Sequence, residues 1–585
     1  MPASLIEGDS LLALDVGSVN TRSLLFEVVD GRYRFIASGQ SPTTAFAPVR
    51  DIGVGVRESI EDLQRVTGRT FLDMDGQLIV PSSPEGNGAD LLAGTVSAGP
   101  AVKTVVTGLL SDVSLKSARN LADTSYTRVV ETIGLNDRRR PDELIDALIR
   151  TQPELILVAG GTDGGASRSV QKILEIIGLA CYLLPEDKRP AVLYAGNKDL
   201  ADEASALLGK FTSALQFSAN IRPSLEVEDL SPAAHTLAQM LPDILKRYMN
   251  GIDELHLWTG GKLLPSAYAQ SRMVRFLSQV YGSAKGILCV DLGASAASFA
   301  SSISGQLALS VFPQFGMGEN MAGLLRHTTV DEIARWLFLD IPLEAVRDYL
   351  YRKTLYPGSI PATKDELAIE QAAARQVLYL ATQAAIPAFP KGLRAARRGM
   401  LPYFEPIIVS GGTLSRAPTL GQTLLMLLDG LQPTGITTIV LDQNDLLGAL
   451  GAAADANPLI PVQVFVSGAF LNLATVISPA IHNARYGSSV LRVRLETDNG
   501  NESRMEVRFG AMEVISIPSG VEGRLTLQPL QRADIGFGPG RSGTVKVVGG
   551  TMGVVIDARG RPLDLPADPV RRRELLKKWL WTVGG

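Results

Sequence analysis

One layout occurs twice in this chain and constrains its fold more than any other feature. "LLALDVGSVNTRSLLFEVVDGRYRFIASG" starts at Leu11, and "GILCVDLGASAASFASSISGQLALSVF" starts at Gly286. In each, an apolar run ends in Asp-x-Gly, at Asp15–Gly17 and Asp291–Gly293. A second run follows, a turn dipeptide closes a hairpin, and a third run returns. The aspartate and the turn glycine are 16 residues apart in the first copy (15 to 31) and 14 in the second (291 to 305). Asp-Gly between two alternating runs is a strong hairpin signal. One Asp-x-Gly-Ser turn has an ordinary explanation, because those residues favour tight turns. Two, each opening an α/β stretch, predict a duplicated fold. The 585 residues leave room for two to four domains.

The segments after each unit alternate in type. "VKTVVTGLL", "YTRVVETIGL", "ELILVAGG" and "AVLYAGN" read as strands. "SLKSARNLADTS", "PDELIDALIRTQ", "SRSVQKILEIIGLA" and "DLADEASALLG" read as helices between and after them. That alternation means a parallel or mixed sheet with helices on its faces. The chain divides into a first lobe at 1–285, with a Gly/Pro/Ser-rich irregular excursion at 70–97, and a second lobe at 286–460. The second lobe carries a long helix across 365–398 and a strand that runs into Gly411-Gly412. Short alternating strands over 461–585 predict a separate β-rich domain. It ends in a basic amphipathic helix whose Trp579 and Trp581 are expected to pack on it.

Charge and composition remove several classes. A net charge of −4 makes no electrostatic case for nucleic acid. No apolar run reaches the ~18 residues of a membrane helix, and no basic-then-apolar leader opens the chain. Cys181 and Cys289 sit in strand-like apolar surroundings. They predict two buried free thiols and a reducing cytoplasm. His235, His256, His327 and His482 show no metal-ligand spacing.

Two Asp-x-Gly units followed by a strand with a double glycine resemble the actin-like ATPase superfamily of actin, Hsp70 chaperones and sugar kinases. The resemblance implies duplicated ribonuclease H-like α/β domains that close on ATP. The first hairpin clasps the β- and γ-phosphates, the second faces it, and the Gly411-Gly412 turn approaches the adenosine. The residues suit that role. Backbone N–H groups of a glycine turn can converge on an anion. Gly17 and Gly293 admit phosphate without a Cβ in the way. Ser18, Asn20 and Thr21 add neutral donors, and Gly293 and Ala294 form the facing turn. Asp15 and Asp291 would hold Mg²⁺ through water or orient the attacking water.

"LILVAGGTDGGASRSV" at 155–170 sets Gly160, Gly161, Gly164 and Gly165 around Thr162 and Asp163, between a strand and a helix. Such a loop is a ready anion site. It lacks the lysine of a Walker loop and is not a dinucleotide fingerprint. It reads either as a tight βα connection or as a nucleotide-cleft loop. On the second reading Asp163 lies near metal or water, a third catalytic candidate.

"LVAGGTDGG", "AVLYAGNKD", "SANIRPSLEVEDLSP" and the Asp-Leu-Gly unit at 291 occur in that order. Together they resemble the glutamate mutase L, or MutL, family, which is unrelated to the mismatch-repair protein of that name. The resemblance covers roughly residues 10–460, with "GTMGVVIDARGRPLDLP" a further segment. It implies ATP-driven reactivation of an adenosylcobalamin-dependent mutase by removal of damaged cobalamin. The second turn departs from the actin-like pattern. Ala296 and Ala297 stand where hydroxyl and carboxylate groups are usual, so hydrolysis is expected to be slow. Two other readings stay open: a nucleotide-binding or pseudo-ATPase scaffold, and a small-molecule kinase of the same superfamily.

Overall fold

The computed structural model describes residues 8–281, 285–481 and 484–585. Strands β1 (Ser10–Val16), β2 (Asn20–Val29) and β3 (Arg32–Pro42) form an antiparallel meander. Its second turn has positive φ at both Asp30 (51°) and Gly31 (73°), the mirror-image turn that matches strand twist. A helix at Ile52–Thr67 starts where the Asp51 side chain accepts from Gly53 N–H, and it stops at left-handed Gly68. The stretch expected to be irregular at 70–97 ends in a core strand, β4 (Leu91–Val96), parallel to β1. Its "LLAGTV" has loop-like small residues for a packing reason. A Cβ on Gly94 would lie 2.7 Å from Thr259 Cγ2.

Between β4 and the rest of its sheet the chain inserts a second sheet. Strands β5 (Val102–Thr107), β6 (Thr127–Ile133), β7 (Leu155–Val158), β8 (Ala191–Tyr194) and β9 (Ala214–Phe217) are all parallel, in the order β6-β5-β7-β8-β9. The central strands β5, β7 and β8 are buried on both faces, whereas the edge strands β6 and β9 are partly exposed. Val106 and Leu157 face a core shared with helices Ser114–Ala122 and Ser231–Leu245. Val105, Ile156 and Val158 face helices Pro141–Thr151, Arg168–Leu183 and Ala201–Leu208. The chain then returns through β10 (Leu264–Pro265), which completes the first sheet in the order β10-β4-β1-β2-β3.

The second lobe repeats that order. Strands β11 (Gly286–Leu292), β12 (Ala297–Ile303), β13 (Gln306–Phe312), β14 (Phe404–Ser410) and β15 (Gly435–Leu441) run β13-β12-β11-β14-β15. This is the duplicated actin-like α/β layout expected from the sequence. The long helix is Lys364–Ala385 and does not reach 398, because Pro387 and Pro390 follow it. Cys181 and Cys289 are both buried and free.

The C-terminal segment does not stand apart as expected. Strands β16 (Leu471–Ser478), β17 (Ala480–Ile481), β18 (Ser489–Thr497), β19 (Glu502–Arg508), β20 (Met512–Ile515), β21 (Glu522–Pro529), β22 (Ala533–Asp534), β23 (Gly543–Val548) and β24 (Val554–Asp557) divide their allegiance. Three of them, β16, β24 and β20, extend the second-lobe sheet to eight strands. Only β19-β18-β21-β23 and the pair β17-β22 form sheets of their own. A buried ionic chain fastens the junction. Arg375 Nε donates to Asp429 Oδ2 at 2.8 Å, Arg559 Nη1 to Asp429 Oδ1 at 2.7 Å, and Arg559 Nε to Asp557 Oδ1 at 2.8 Å. Burial alone would raise the Asp557 carboxyl, but Arg559 and Arg561 beside it hold it well below the usual range. The terminal helix Pro569–Thr582 buries Trp579, whose indole N–H donates to Gly510 O, and leaves Trp581 81% exposed. Trp579 packs as expected; Trp581 does not. No helix among the described residues is long and apolar enough to cross a membrane.

Candidate functional site

The two lobes enclose a cavity of 790 Å³. Asp15, Gly17, Ser18 and Asn20 line it from the first turn, and Asp291, Gly293 and Ala294 from the second. Gly411 and Gly412 line it after β14. The turns share one geometry. Gly17 N–H donates to Asn20 O at 2.9 Å, and Gly293 N–H donates to Ala296 O at 3.0 Å. A Cβ on Gly17 would sit 2.6 Å from Asn20 O, so only glycine closes that turn. Gly411 has φ +106°, and a Cβ there would lie 2.3 Å from Leu292 O. Gly411 therefore serves the close approach of β14 to the end of β11, whereas a Cβ on Gly412 would meet nothing within 4 Å.

Each aspartate is held by a hydroxyl from the neighbouring parallel strand. Thr95 Oγ1 donates to Asp15 Oδ1 at 2.6 Å, and Ser410 Oγ donates to Asp291 Oδ1 at 2.8 Å. Ser266 Oγ also donates to Asp15 Oδ1, at 3.0 Å. Across the first hairpin, Arg22 on β2 lies opposite Asp15. Its Nη2 is 2.7 Å from Asp445 Oδ2, on the second lobe, and its Nη1 is 3.6 Å from Asp15 Oδ2. Asp445 Oδ1 accepts from Gly411 N–H at 3.2 Å. Asp442 caps the helix Leu446–Ala453 by accepting from Leu446 and Leu447 N–H.

Carboxylates outnumber cations here. Burial raises the Asp15 carboxyl, with Arg22 opposing. Burial, then Asp445, pushes Asp291 up to about 7, and the same two causes push Asp442 up to about 7. An all-oxygen donor set with surplus negative charge suits a hard cation such as Mg²⁺. Among the described residues no group of three or more His, Cys, Asp or Glu converges to hold a metal directly. The fit is therefore to a cation that takes most of its ligands from phosphate and water.

Thr21 does not line the cavity. It is buried and its hydroxyl shares a hydrogen bond with Thr43. Gly160, Gly161, Thr162, Asp163 and Gly164 are not in the cleft either. Thr124, Ser125 and Tyr126, at the amino end of β6, line the cavity. The glycine loop follows the carboxyl end of β7 in the same parallel sheet. Strands β5 and β6 are six and seven residues long, so the two edges lie roughly 20 Å apart. There the Asp163 carboxylate accepts from Asn220 Nδ2 at 3.0 Å and from Lys198 N–H at 3.4 Å. His235 contacts Tyr268 through Nδ1 at 3.0 Å, and His482 lies outside the described residues.

Sequence reasoning missed Arg22, Asp445, Thr95, Ser266 and Ser410. Arg22 was within reach, because the hairpin register sets it against Asp15. Thr95 and Ser410 each lie at the carboxyl end of a strand, a weak signal. Asp445 and Ser266 reach the site only through tertiary packing.

Comparison with known proteins places this geometry among relatives. The family model described as MutL protein matches residues 11–468. The Protein MutL of Clostridium tetanomorphum is 23% identical over 290 residues, which are 49% of this chain and 56% of that protein. The chain thus spans little more than half the length of that relative. A nucleotide-free structure of acetone carboxylase is 12% identical and covers 86% of this chain and 81% of its own, with a TM-score of 0.32. A glycerol dehydratase reactivase is 12% identical and covers 72% of this chain and 95% of its own, with a TM-score of 0.28. Superpositions this loose do not align individual residues.

Proposed function

This chain belongs to the MutL protein family, and on that premise we propose that it binds Mg²⁺·ATP between its lobes and serves as a reactivating or accessory factor for an adenosylcobalamin-dependent mutase of the glutamate mutase type. One observation carries the nucleotide part of this reading. Two glycine turns of the same geometry, one per lobe, face a single cavity beside buried carboxylates. Their backbone N–H groups bind phosphate oxygens, and Arg22 adds a fixed positive charge. The metal supplies neutralisation of the β- and γ-oxygens when bound. Closure of the lobes on the nucleotide is the working stroke, in a cytoplasmic protein. The mutase part rests on the family alone.

Turnover is slow on this reading. Ala294, Ala296 and Ala297 give the second turn few side-chain donors, although Ser295 and Ser298 still line the cavity. Those alanines also favour a second reading, a nucleotide-binding scaffold with little hydrolysis. A kinase needs a free carboxylate as base. Glu370 lines the cavity but is engaged by the Tyr349 hydroxyl and by Lys353 Nζ at 3.0 Å.

Calorimetric titration of the full chain with ATP, with and without Mg²⁺, tests the cleft. Micromolar, Mg²⁺-dependent binding is expected, and no binding at millimolar nucleotide would sink the reading. Turnover stimulated by an inactivated cobalamin mutase then separates reactivating factor from scaffold.

A further inference from the structure

Arg22 is not alone in bridging the two lobes beside the cavity. Arg416, beyond the double glycine, lines it and donates from Nη2 to Gln40 Oε1 on β3 at 2.8 Å. Tyr126 of the first lobe lines it and donates its hydroxyl to Glu319 Oε1 of the second at 3.2 Å. A length of chain makes a further bridge. Residues 356–363, "YPGSIPAT", join the helix Leu343–Leu355 to the helix Lys364–Ala385. Residues 357–363 all line the cavity. A Cβ on Gly358 would lie 3.4 Å from Val19 Cγ1, in the middle of the first glycine turn. A strap of the second lobe therefore reaches the first lobe at the turn that presents its N–H groups to the cavity.

The strap is held unequally on its two sides. On its own lobe it is fastened by polar bonds. Lys353 is buried and paired with Glu370 at 3.0 Å, and its Nζ donates to Ser359 O at 2.5 Å. Ala362 N–H donates to Glu366 Oε2 at 2.7 Å, and Thr363 Oγ1 caps the next helix by accepting from Glu366 N–H at 3.2 Å. Pro357 and Pro361 fix φ at two positions and stiffen what lies between. Against Val19 the strap makes van der Waals contact, which is weak atom by atom. Ile360, near its middle, lines the cavity and is 86% exposed. The strap is thus fixed to the lobe that carries it and rests lightly on the other.

We propose that the strap at 356–363 is the gate of the nucleotide cleft. It moves with the second lobe, rests on the Val19 turn when the lobes are closed, and parts from that turn when a nucleotide enters or leaves. The inference rests on the reading that the cavity binds Mg²⁺·ATP. Phosphate held by the first turn favours the position in which the strap lies against that turn, so occupancy and closure are coupled through one contact.

A reversible cross-link in the full chain tests this. The double variant Val19→Cys, Gly358→Cys brings two thiols within disulfide reach. Gly358 is not in the left-handed region, so it accepts a side chain, and Cys181 and Cys289 are buried. The probe is N-methylanthraniloyl-ATP with Mg²⁺. Protein loaded and then oxidised is expected to release it about tenfold or more slowly than the same protein after dithiothreitol, and protein oxidised empty to load it more slowly by a similar factor. Amide hydrogen exchange on the wild type needs no substitution. Mg²⁺ with a non-hydrolysable ATP analogue is expected to protect Gly358, Ser359 and Ile360 along with the first turn. Cross-linked protein that exchanges nucleotide as fast as reduced protein overturns the gate, and so do strap amides that nucleotide leaves unchanged. A pair that does not cross-link overturns the contact beneath it. Calorimetry on the wild type and on the reduced variant reads binding separately. No binding at millimolar nucleotide overturns the cleft and the gate together, whereas normal binding with unchanged exchange rates overturns the gate alone.

Discussion

In the first lobe Asp15 lies opposite Arg22 across β1 and β2; in the second Asp291 lies opposite Ser298 across β11 and β12. The backbone around these pairs matches. The Gly17 and Gly293 turns close with the same hydrogen bond. Thr95 and Ser410 reach the two aspartates from equivalent parallel strands. The cation differs, and so do the polar side chains: Ser266 Oγ is a second donor to Asp15, and Ala294 and Ala296 stand where the first turn has Ser18 and Asn20. The first aspartate has a guanidinium beside it that also grips Asp445 on the other lobe, while the second is pushed up to about 7. The backbone of the site is duplicated and its charge is not. Burial raises both carboxyls, and the first hairpin sets a guanidinium directly opposite its own.

Substitutions at the aspartates should show the largest contrast. Asp15→Ala should weaken Mg²⁺·ATP by about a hundredfold, about 2.7 kcal/mol, and Asp291→Ala by about tenfold. Calorimetry measures both, and equal losses would break the comparison. Next is Arg22→Gln. It removes a largely buried ion pair between the lobes and should cost the ligand-free protein about 2 kcal/mol, read as a lower denaturant midpoint. Ser298→Gln, opposite the other aspartate, removes no cation, and an equal loss there would contradict the assignment of Arg22 as the bridge.

The pH dependence is smaller. The Asp291 carboxyl is held up to about 7 in the folded chain against an ordinary 3.8. The folded state therefore binds its proton more tightly than the unfolded state does. The stability this favours is present below about pH 4, is lost as pH rises to about 7, and is flat beyond. Asp291→Asn should thus gain on the wild type between pH 4 and pH 8 in thermal melts without nucleotide. Part of the slope remains, because Asp442 is raised for the same reasons. The smallest effect is Ser298→Ala, a few-fold loss of ATP affinity, about 0.5–1 kcal/mol for one neutral hydrogen bond.

Much of the fold was legible because it is written in short-range chemistry. Asp30-Gly31 announced its hairpin, and the Asp-x-Gly repeats announced the duplication. Other elements were not legible, for identifiable reasons. Strand β4 has the composition of a loop because Gly94 must admit Thr259. The strands β16, β20 and β24 alternate like those of an independent β domain, and period two does not say which sheet a strand joins. In the site, the aspartates and glycines were visible, whereas Asp445 and Ser266 arrive from elements more than 200 residues from their partners.

The glycine loop at 160–165 marks the limit between the two kinds of information. Its own residues determine that a strand ends there, that the backbone takes left-handed turns, and that a helix starts with free N–H groups, since all of these are settled by contacts within a few positions. Sequence alone likewise determined two Asp-x-Gly turns with room for phosphate. Only the tertiary structure decided that those two turns share a cavity and that the glycine loop does not. Which edge of a sheet faces the other lobe depends on how distant apolar faces pair to leave water, and a stretch of a dozen residues carries no record of that pairing.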